Sequence, residues 1–234
     1  MKQIFIFILL AVFTTAWANA QNKTEKRSTN PFSEISLRVD AMLYIEQGDE
    51  HSITITANDQ TLDKIIVEVN DGKLVIRFGF EDRWMSNFKP GKIEIHVVAK
   101  NIYNLSVQGS GNIYAEKELE SHTLEINIAG SGDIKLNNLK CDKVDATITG
   151  SGDIVIEGES KGREIEILIA GSGDVMTSAF EAEVAYVKIA GSGDCEVNAS
   201  QFLEVNIYGS GDVKYTGAPS IKSQIAGSGS VYQK

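Results

Sequence analysis

Apolar and polar residues alternate one by one over most of the chain, which is the pattern of strands with one buried face. In residues 144–157, one parity carries Val, Ala, Ile, Gly, Gly, Ile and Ile, and the other carries Asp, Thr, Thr, Ser, Asp, Val and Glu. The alternation passes through Gly150-Ser151-Gly152 without a change of phase. No convincing helical period appears. The pattern therefore predicts an all-β protein.

A Gly-Ser-Gly triplet recurs seven times, beginning at Gly109, Gly130, Gly150, Gly171, Gly191, Gly209 and Gly227. Successive triplets begin 18 to 21 residues apart. A near-constant period of this length indicates a solenoid in which each repeat forms one coil. Together with the two-residue alternation it predicts a single-stranded β-solenoid, a parallel β-helix for which right-handed winding is the default.

Both glycines of each triplet fall on the apolar parity, which we assign to the inside of the solenoid. A missing side chain there suits a strand that bends or that another wall approaches closely. We therefore expect each coil to be a long strand creased at the triplet and followed by a variable turn, such as residues 137–143 or 157–163.

The organisation along the chain follows from these patterns. Residues 21–31 are a polar linker, and residues 32–234 form one solenoid domain with the regular repeats in 105–234. Residues 32–104 lack the triplet but contain short alternating runs, so we interpret them as irregular first coils and a cap. A separate small β-domain is the alternative. Asn70-Asp71-Gly72 is predicted to be a turn, which would suit a hairpin.

The N-terminus predicts export. Residues 1–20 combine a single cationic residue, Lys2, with a short apolar run and the end Ala18-Asn19-Ala20, which is the layout of a secretory signal peptide. No other run predicts a transmembrane segment. The periplasm, the outer surface and the medium are all open as destinations. Removing Lys2 changes the formal net charge from −10 to −11, which disfavours nucleic acid as a partner.

The N-terminal block and the repeats together resemble a known family. The exported start, the opening FSEISLRV, the segment DGKLVIRF and the serial GSGD copies are similar to the putative auto-transporter adhesin head, GIN domain, family, which is frequent in Bacteroidetes. The resemblance spans nearly all of the mature chain. It implies a β-helix resembling pectin lyases, without a recognised catalytic set, and a role in cell adhesion.

An acidic row follows the triplets on the outward parity. It consists of Asp133, Asp153, Asp174, Asp194 and Asp212, beside a row of triplet serines. Carboxylates about 5 Å apart in water repel by roughly 1 kcal/mol per pair. We expect these side chains to hydrogen-bond free N–H groups at the crease. Calcium binding along the row is the alternative, and we otherwise expect no cofactor.

Catalysis is not favoured by this row, because general acid–base chemistry needs two carboxyls with unlike pKa values and every copy has the same neighbours. His51, His96 and His122 lie in unrelated places without metal-ligand spacing. The leading hypothesis is a non-catalytic binding or adhesion module. A polysaccharide-active β-helix enzyme and a purely structural envelope protein are the alternatives.

One loop, residues 82–90, is rich in large apolar side chains. Trp84, Met85 and Phe88 are costly to expose, so they either plug the N-terminal end of the core or contact a ligand. A glycan or an envelope protein would suit such a contact, and the ligand itself is unknown.

The two cysteines of the mature chain are predicted to be free, because Cys141 and Cys195 lie in different coils beyond disulfide reach. We expect Cys195 to be a small core residue and Cys141 to be partly buried. The last repeat has no predicted cap, so we also expect the C-terminal end of the solenoid to meet another chain, either a second copy or an envelope partner.

Overall fold

The computed structural model describes residues 22–79 and 88–234. Twenty strands and one short helix make up the described part, and the strands join in one continuous sheet. The elements in the N-terminal half are β1 (Lys23–Arg27), β2 (Glu34–Leu37), β3 (Met42–Gln47), β4 (Ser52–Ala57), α1 (Asp59–Lys64), β5 (Ile65–Asn70), β6 (Lys73–Phe78), β7 (Glu94–Ala99), β8 (Asn104–Gly109) and β9 (Asn112–Ala115).

The strands of the regular repeats follow in chain order. They are β10 (Leu119–Gly130), β11 (Ile134–Asn137), β12 (Leu139–Gly150), β13 (Ile154–Glu157), β14 (Ser160–Lys161), β15 (Glu164–Gly171), β16 (Val175–Gly191), β17 (Cys195–Gly209), β18 (Val213–Thr216), β19 (Ser220–Gly227) and β20 (Val231–Gln233).

Parallel pairing between successive repeats builds the solenoid. Gly130 of β10 aligns with Gly150 of β12, which aligns with Gly171 of β15. After the crease, Ile134 aligns with Ile154 in the same way. The prediction of an all-β β-solenoid is confirmed, and it winds through about six turns.

Each coil contains a third paired segment that the sequence interpretation had assigned to turns. β12 already begins at Leu139, and Leu119 of β10 pairs with it. Leu139 and Cys141 are buried, so the variable segment supplies inward side chains of its own. The expectation of a turn over residues 137–143 was therefore wrong for most of that segment, because a coil needs a third side to close its core.

The two glycines of each triplet serve different purposes. The first has φ between +125° and +147° in all seven copies, a conformation that disfavours any residue with a Cβ. The second is buried in the first six copies, and from Gly132 onward a Cβ on it would collide with the carbonyl oxygen of the equivalent glycine one coil earlier. The neighbouring coil, rather than the interior, excludes these side chains.

The N-terminal block stacks on the first regular coils. β2 lies between β6 and β8 with parallel pairing, and β3 lies between β7 and β9 in the same orientation. Buried residues from Phe32 to Val213 form one contiguous core cluster. Within the segment predicted to be a polar linker, β1 pairs antiparallel with β4. The division into segments otherwise stays a prediction.

Two local features complete this block. β5 and β6 form an antiparallel hairpin around Asp71 and Gly72, whose φ values are +50° and +77°, so the predicted turn is a two-residue hairpin loop. The helix α1 was not expected. It spans only six residues, and the side chain of Asn58 caps it by accepting a hydrogen bond from the N–H of Thr61 at 2.9 Å.

In the last coil, residues at positions that are buried in the preceding coils are exposed. Ile221 and Ile225 align with the buried Leu203 and Ile207, yet they are 41% and 42% exposed. The contact of this end with another chain stays a prediction. Within residues 22–79 and 88–234, no helix has the length and apolar character needed to cross a membrane. The predicted signal peptide, residues 1–20, lies outside the described residues.

Candidate functional site

The acidic row forms a hydrogen-bonded ladder between coils. The Oδ1 atom of Asp153 accepts a bond from the backbone N–H of Asp174 at 2.9 Å, and Asp153 donates its own N–H to Asp133 at 3.0 Å. The ladder begins at Asn112 and continues through Asp194 and Asp212 to the N–H of Ser230. Each side-chain oxygen thus satisfies a donor that the crease removes from regular pairing.

This geometry supports the structural interpretation of the row. The N–H group following each aspartate donates to the backbone carbonyl of the equivalent residue in the next coil, as Ile154 does to Asp174 at 2.9 Å. The expected hydrogen bonds are therefore present, although they join coils rather than lie within one turn. Among the described residues, no group of three or more His, Cys, Asp or Glu side chains is arranged to hold a metal ion. Calcium binding by the row remains an untested alternative.

The apolar loop is only partly in view, because Trp84 and Met85 lie outside the described residues. Phe88 is half-buried and packs edge-on against Phe78, with 5.3 Å between ring centroids. The ammonium group of Lys64 lies 5.2 Å from the centre of the Phe88 ring. Phe88 thus packs beside the β5–β6 hairpin and α1, and the choice between plug and ligand contact stays a prediction.

A groove crosses the third side of the coils where the N-terminal block meets the repeats. We call it the coil groove; its volume is about 910 Å³. Loops after β3 and β7 form one wall, and the third segments of three successive coils form the other. Its lining includes Gln47, Gly48, Asp49, Lys100, Asn101, Tyr103, Glu120, Ser121, His122, Lys140, Cys141, Asp142, Lys161 and Gly162.

Gln47 joins the two walls. Its side-chain amide donates to the carbonyl of Glu120 at 2.8 Å and accepts from the N–H of Glu120 at 2.7 Å. The amide thereby takes the place of a neighbouring strand at the start of β10. Next to it, the N–H of Gly48 donates to Ala99 at 3.1 Å. A Cβ at Gly48 would lie 2.8 Å from the side chain of Val98, so glycine permits this close approach.

Tyr103 presents an aromatic ring at the groove from a fixed backbone. Its N–H donates to the carbonyl of Ser33 at 2.8 Å, and its carbonyl accepts from the N–H of Glu125 at 2.9 Å. The residue is nevertheless 47% exposed. An exposed tyrosine on a hydrogen-bonded backbone offers an apolar face with a polar tip, which is the character of many recognition residues.

Charges of both signs line the groove. Asp142 is paired with His122 at 2.6 Å, and Lys140 is paired with Glu118 at 2.9 Å. In contrast, the side chains of Asp49, Lys100 and Lys161 have no hydrogen-bond or ion-pair partner within the described part of the chain. One carboxylate and two ammonium groups are thus free to meet a ligand.

Several carboxylates outside the groove are stabilised in their ionised form. Hydrogen bonds from Arg77, His96 and Lys214 lower the pKa values of Glu68, Glu94 and Glu196 respectively. A general acid at neutral pH needs the opposite shift. Burial raises the pKa of Cys141 to about 11, and it also raises that of Cys195. Both cysteines are free and buried, as expected for Cys195 but more deeply than expected for Cys141.

The coil groove was not predicted from the sequence. Its residues come from loops outside the triplet pattern and from the third segments, which had been interpreted as turns. One usable signal was the break in the repeat before Gly109, where Tyr103 and Lys100 precede the first triplet. A break in a solenoid repeat marks the place where a unique surface can form.

Stacked coils joined in one continuous sheet define a β-solenoid, which is a class of repeat protein. Residues 31–219 match the family described as putative auto-transporter adhesin, head GIN domain. The match spans most of the chain, so the protein belongs to this family, as its sequence motifs had indicated. Among curated proteins, no match was found.

Solved structures agree on the fold. The chain is similar to a putative adhesin from Bacteroides fragilis NCTC 9343, with 22% identity, a TM-score of 0.84, and coverage of 92% of this chain and 97% of that one. A putative lipid binding protein from Parabacteroides distasonis ATCC 8503 has 29% identity, a TM-score of 0.73, and coverage of 92% and 98%. A putative adhesin from Parabacteroides merdae ATCC 43184 has 21% identity, a TM-score of 0.71, and coverage of 92% and 97%.

Proposed function

We propose that this protein is an exported, non-catalytic binding module with a role in adhesion, and that the coil groove holds its ligand. The observation that carries the proposal is the exposed Tyr103 side chain, whose backbone is fixed by two hydrogen bonds where the loops after β3 and β7 face the coils. Family membership supports a surface role.

A glycan-array screen of residues 21–234 tests the proposal. The wild-type protein is expected to bind a defined set of glycans, and Tyr103→Ala is expected to lose that binding while keeping its melting temperature. Tyr208→Ala is the matched control, because Tyr208 is similarly exposed but lies outside the groove. Equal loss in both variants, or no binding by the wild-type protein, would refute a glycan site in the groove.

Two further arms separate other functions. Phospholipid vesicles are included because one solved relative is described as a lipid binding protein. Vesicle binding that survives Tyr103→Ala would place the function elsewhere on the molecule. Any polysaccharide that binds is also assayed for new reducing ends. Their steady release would contradict the non-catalytic part of the proposal.

A further inference from the structure

The coil groove displays a balanced set of charges, which bears on the kind of ligand it can take. Lys100, Lys140 and Lys161 supply three positive charges, and Asp49, Glu120 and Asp142 supply three negative ones. A ligand of either sign therefore gains little from the groove itself. The whole protein is acidic, with a formal net charge of −10, so an anionic chain is repelled at longer range.

The free groups offer both hydrogen-bond donors and acceptors. Lys100 and Lys161 are donors only, Asp49 is an acceptor only, and the Asn101 side chain is both. A hydroxyl group can donate and accept, so a polyhydroxylated chain satisfies this mixed set without carrying charge. Tyr103 adds an apolar ring face of the kind that packs on apolar surfaces of a polar ligand.

The shape of the groove favours an extended ligand. Glu120, Lys140 and Lys161 align in adjacent parallel strands of successive coils. Three such strands span roughly 10 Å along the solenoid axis. The loops carrying Asp49 and Tyr103 extend the lining beyond the first of them. A chain molecule lying along the axis would contact all of these positions together.

We infer that the coil groove binds a neutral glycan chain, stacked on Tyr103 and hydrogen-bonded by Asp49, Lys100 and Lys161. This inference rests on the proposed function and narrows its ligand to one chemical class. Binding of such a chain depends on stacking and hydrogen bonds rather than on ion pairs, so added salt should screen little of it.

Calorimetry with defined oligosaccharides tests the inference. The probes are neutral cello-, xylo- and manno-oligosaccharides, anionic oligogalacturonate and cationic chitosan oligomers. At least one neutral probe is expected to bind, with an affinity that changes less than about threefold up to roughly 0.5 M salt. Tyr103→Ala should weaken it by roughly tenfold or more, and Tyr103→Phe should retain it because the ring remains.

Matched variants locate the contact. Lys161→Gln should weaken neutral-probe binding, whereas Lys188→Gln should not, since Lys188 is an exposed lysine on β16 outside the groove. Selective binding of the anionic or cationic probe, with steep loss in salt, would overturn the neutral-glycan inference and leave the groove as a binding site. Failure of every probe to bind would overturn the inference, while binding that is indifferent to Tyr103→Ala would refute the proposed function as well.

Discussion

The Oδ1 atom of Asp153 lies 2.9 Å from the backbone nitrogen of Asp174, one coil further along the solenoid, and accepts its hydrogen bond. The same bond recurs from Asn112 to Ser230. It explains why a carboxylate or an amide follows the first six triplets, even though stacked carboxylates repel one another. The crease requires a side-chain acceptor oxygen, and aspartate supplies that oxygen together with a negative charge that the hydrogen bond does not require.

Asp153 therefore tests whether the oxygen or the charge matters. Asp153→Ala leaves the N–H of Asp174 without its acceptor and should lower the free energy of unfolding by about 1–3 kcal/mol. Asp153→Asn keeps an acceptor oxygen and relieves repulsion, so its stability should equal or exceed that of the wild type. Urea unfolding of the three proteins decides. Equal destabilisation by both variants would show that the charge itself is required.

Calcium should have little effect on stability if the row is structural. The melting temperature is expected to differ by less than about 2 °C between calcium and a chelator. A calcium site present only in the native state would instead add about 2.7 kcal/mol to the free energy of unfolding when the calcium concentration is a hundredfold above Kd. A large shift with calcium, abolished by Asp153→Asn together with Asp174→Asn, would establish the cation-binding alternative.

Gly152 should not tolerate even a methyl group. A Cβ there would collide with the carbonyl oxygen of Gly132 in the preceding coil, so Gly152→Ala should cost more than about 1 kcal/mol. Ser151→Ala is the control, since Ser151 is exposed between the two glycines and should change stability by less than about 0.5 kcal/mol. Chemical denaturation measures both, and a neutral Gly152→Ala would mean that the coils are not stacked as closely as described.

The two buried thiols should not react with thiol reagents in the native protein. Burial raises the pKa of Cys141 to about 11, so almost none of it is thiolate at pH 8. Cys195 is more deeply buried and its pKa is also raised. A chromogenic disulfide reagent should find no reactive thiol before denaturation and two after it. A failure to find either thiol in the denatured, unreduced protein would reveal a disulfide.

The fold was predictable because each repeat carries its own strand pattern in the local sequence. Val144, Ile148 and Ile154 keep the same apolar–polar alternation on both sides of the triplet. A near-constant repeat length then places equivalent strands on top of one another in successive coils. The third segment was missed because Leu139 and Cys141 stand among turn-forming residues, and a two-residue alternation is too short there to be distinctive. The third side of each coil forms because its residues are buried in the assembled core, and no local sequence pattern indicates that burial.

The candidate site was not predictable for a related reason. Gln47 and Glu120 are 73 residues apart, and only the stacking of β3 on β9 brings their two hydrogen bonds into reach. Likewise, β1 is a strand of polar residues, KTEKR, that forms because β4 offers an open edge. Such partners depend on the assembled fold, whereas the ladder positions follow directly from the repeat.

The central claim is that the triplet repeat builds the scaffold while the coil groove carries the function. The most direct measurement compares glycan-array binding by three proteins: the wild type, Asp153→Asn combined with Asp174→Asn, and Tyr103→Ala. We predict that the ladder variant keeps the wild-type glycan profile and that Tyr103→Ala loses it with its fold intact by circular dichroism. Loss of binding in the ladder variant, with full binding by Tyr103→Ala, would contradict the account.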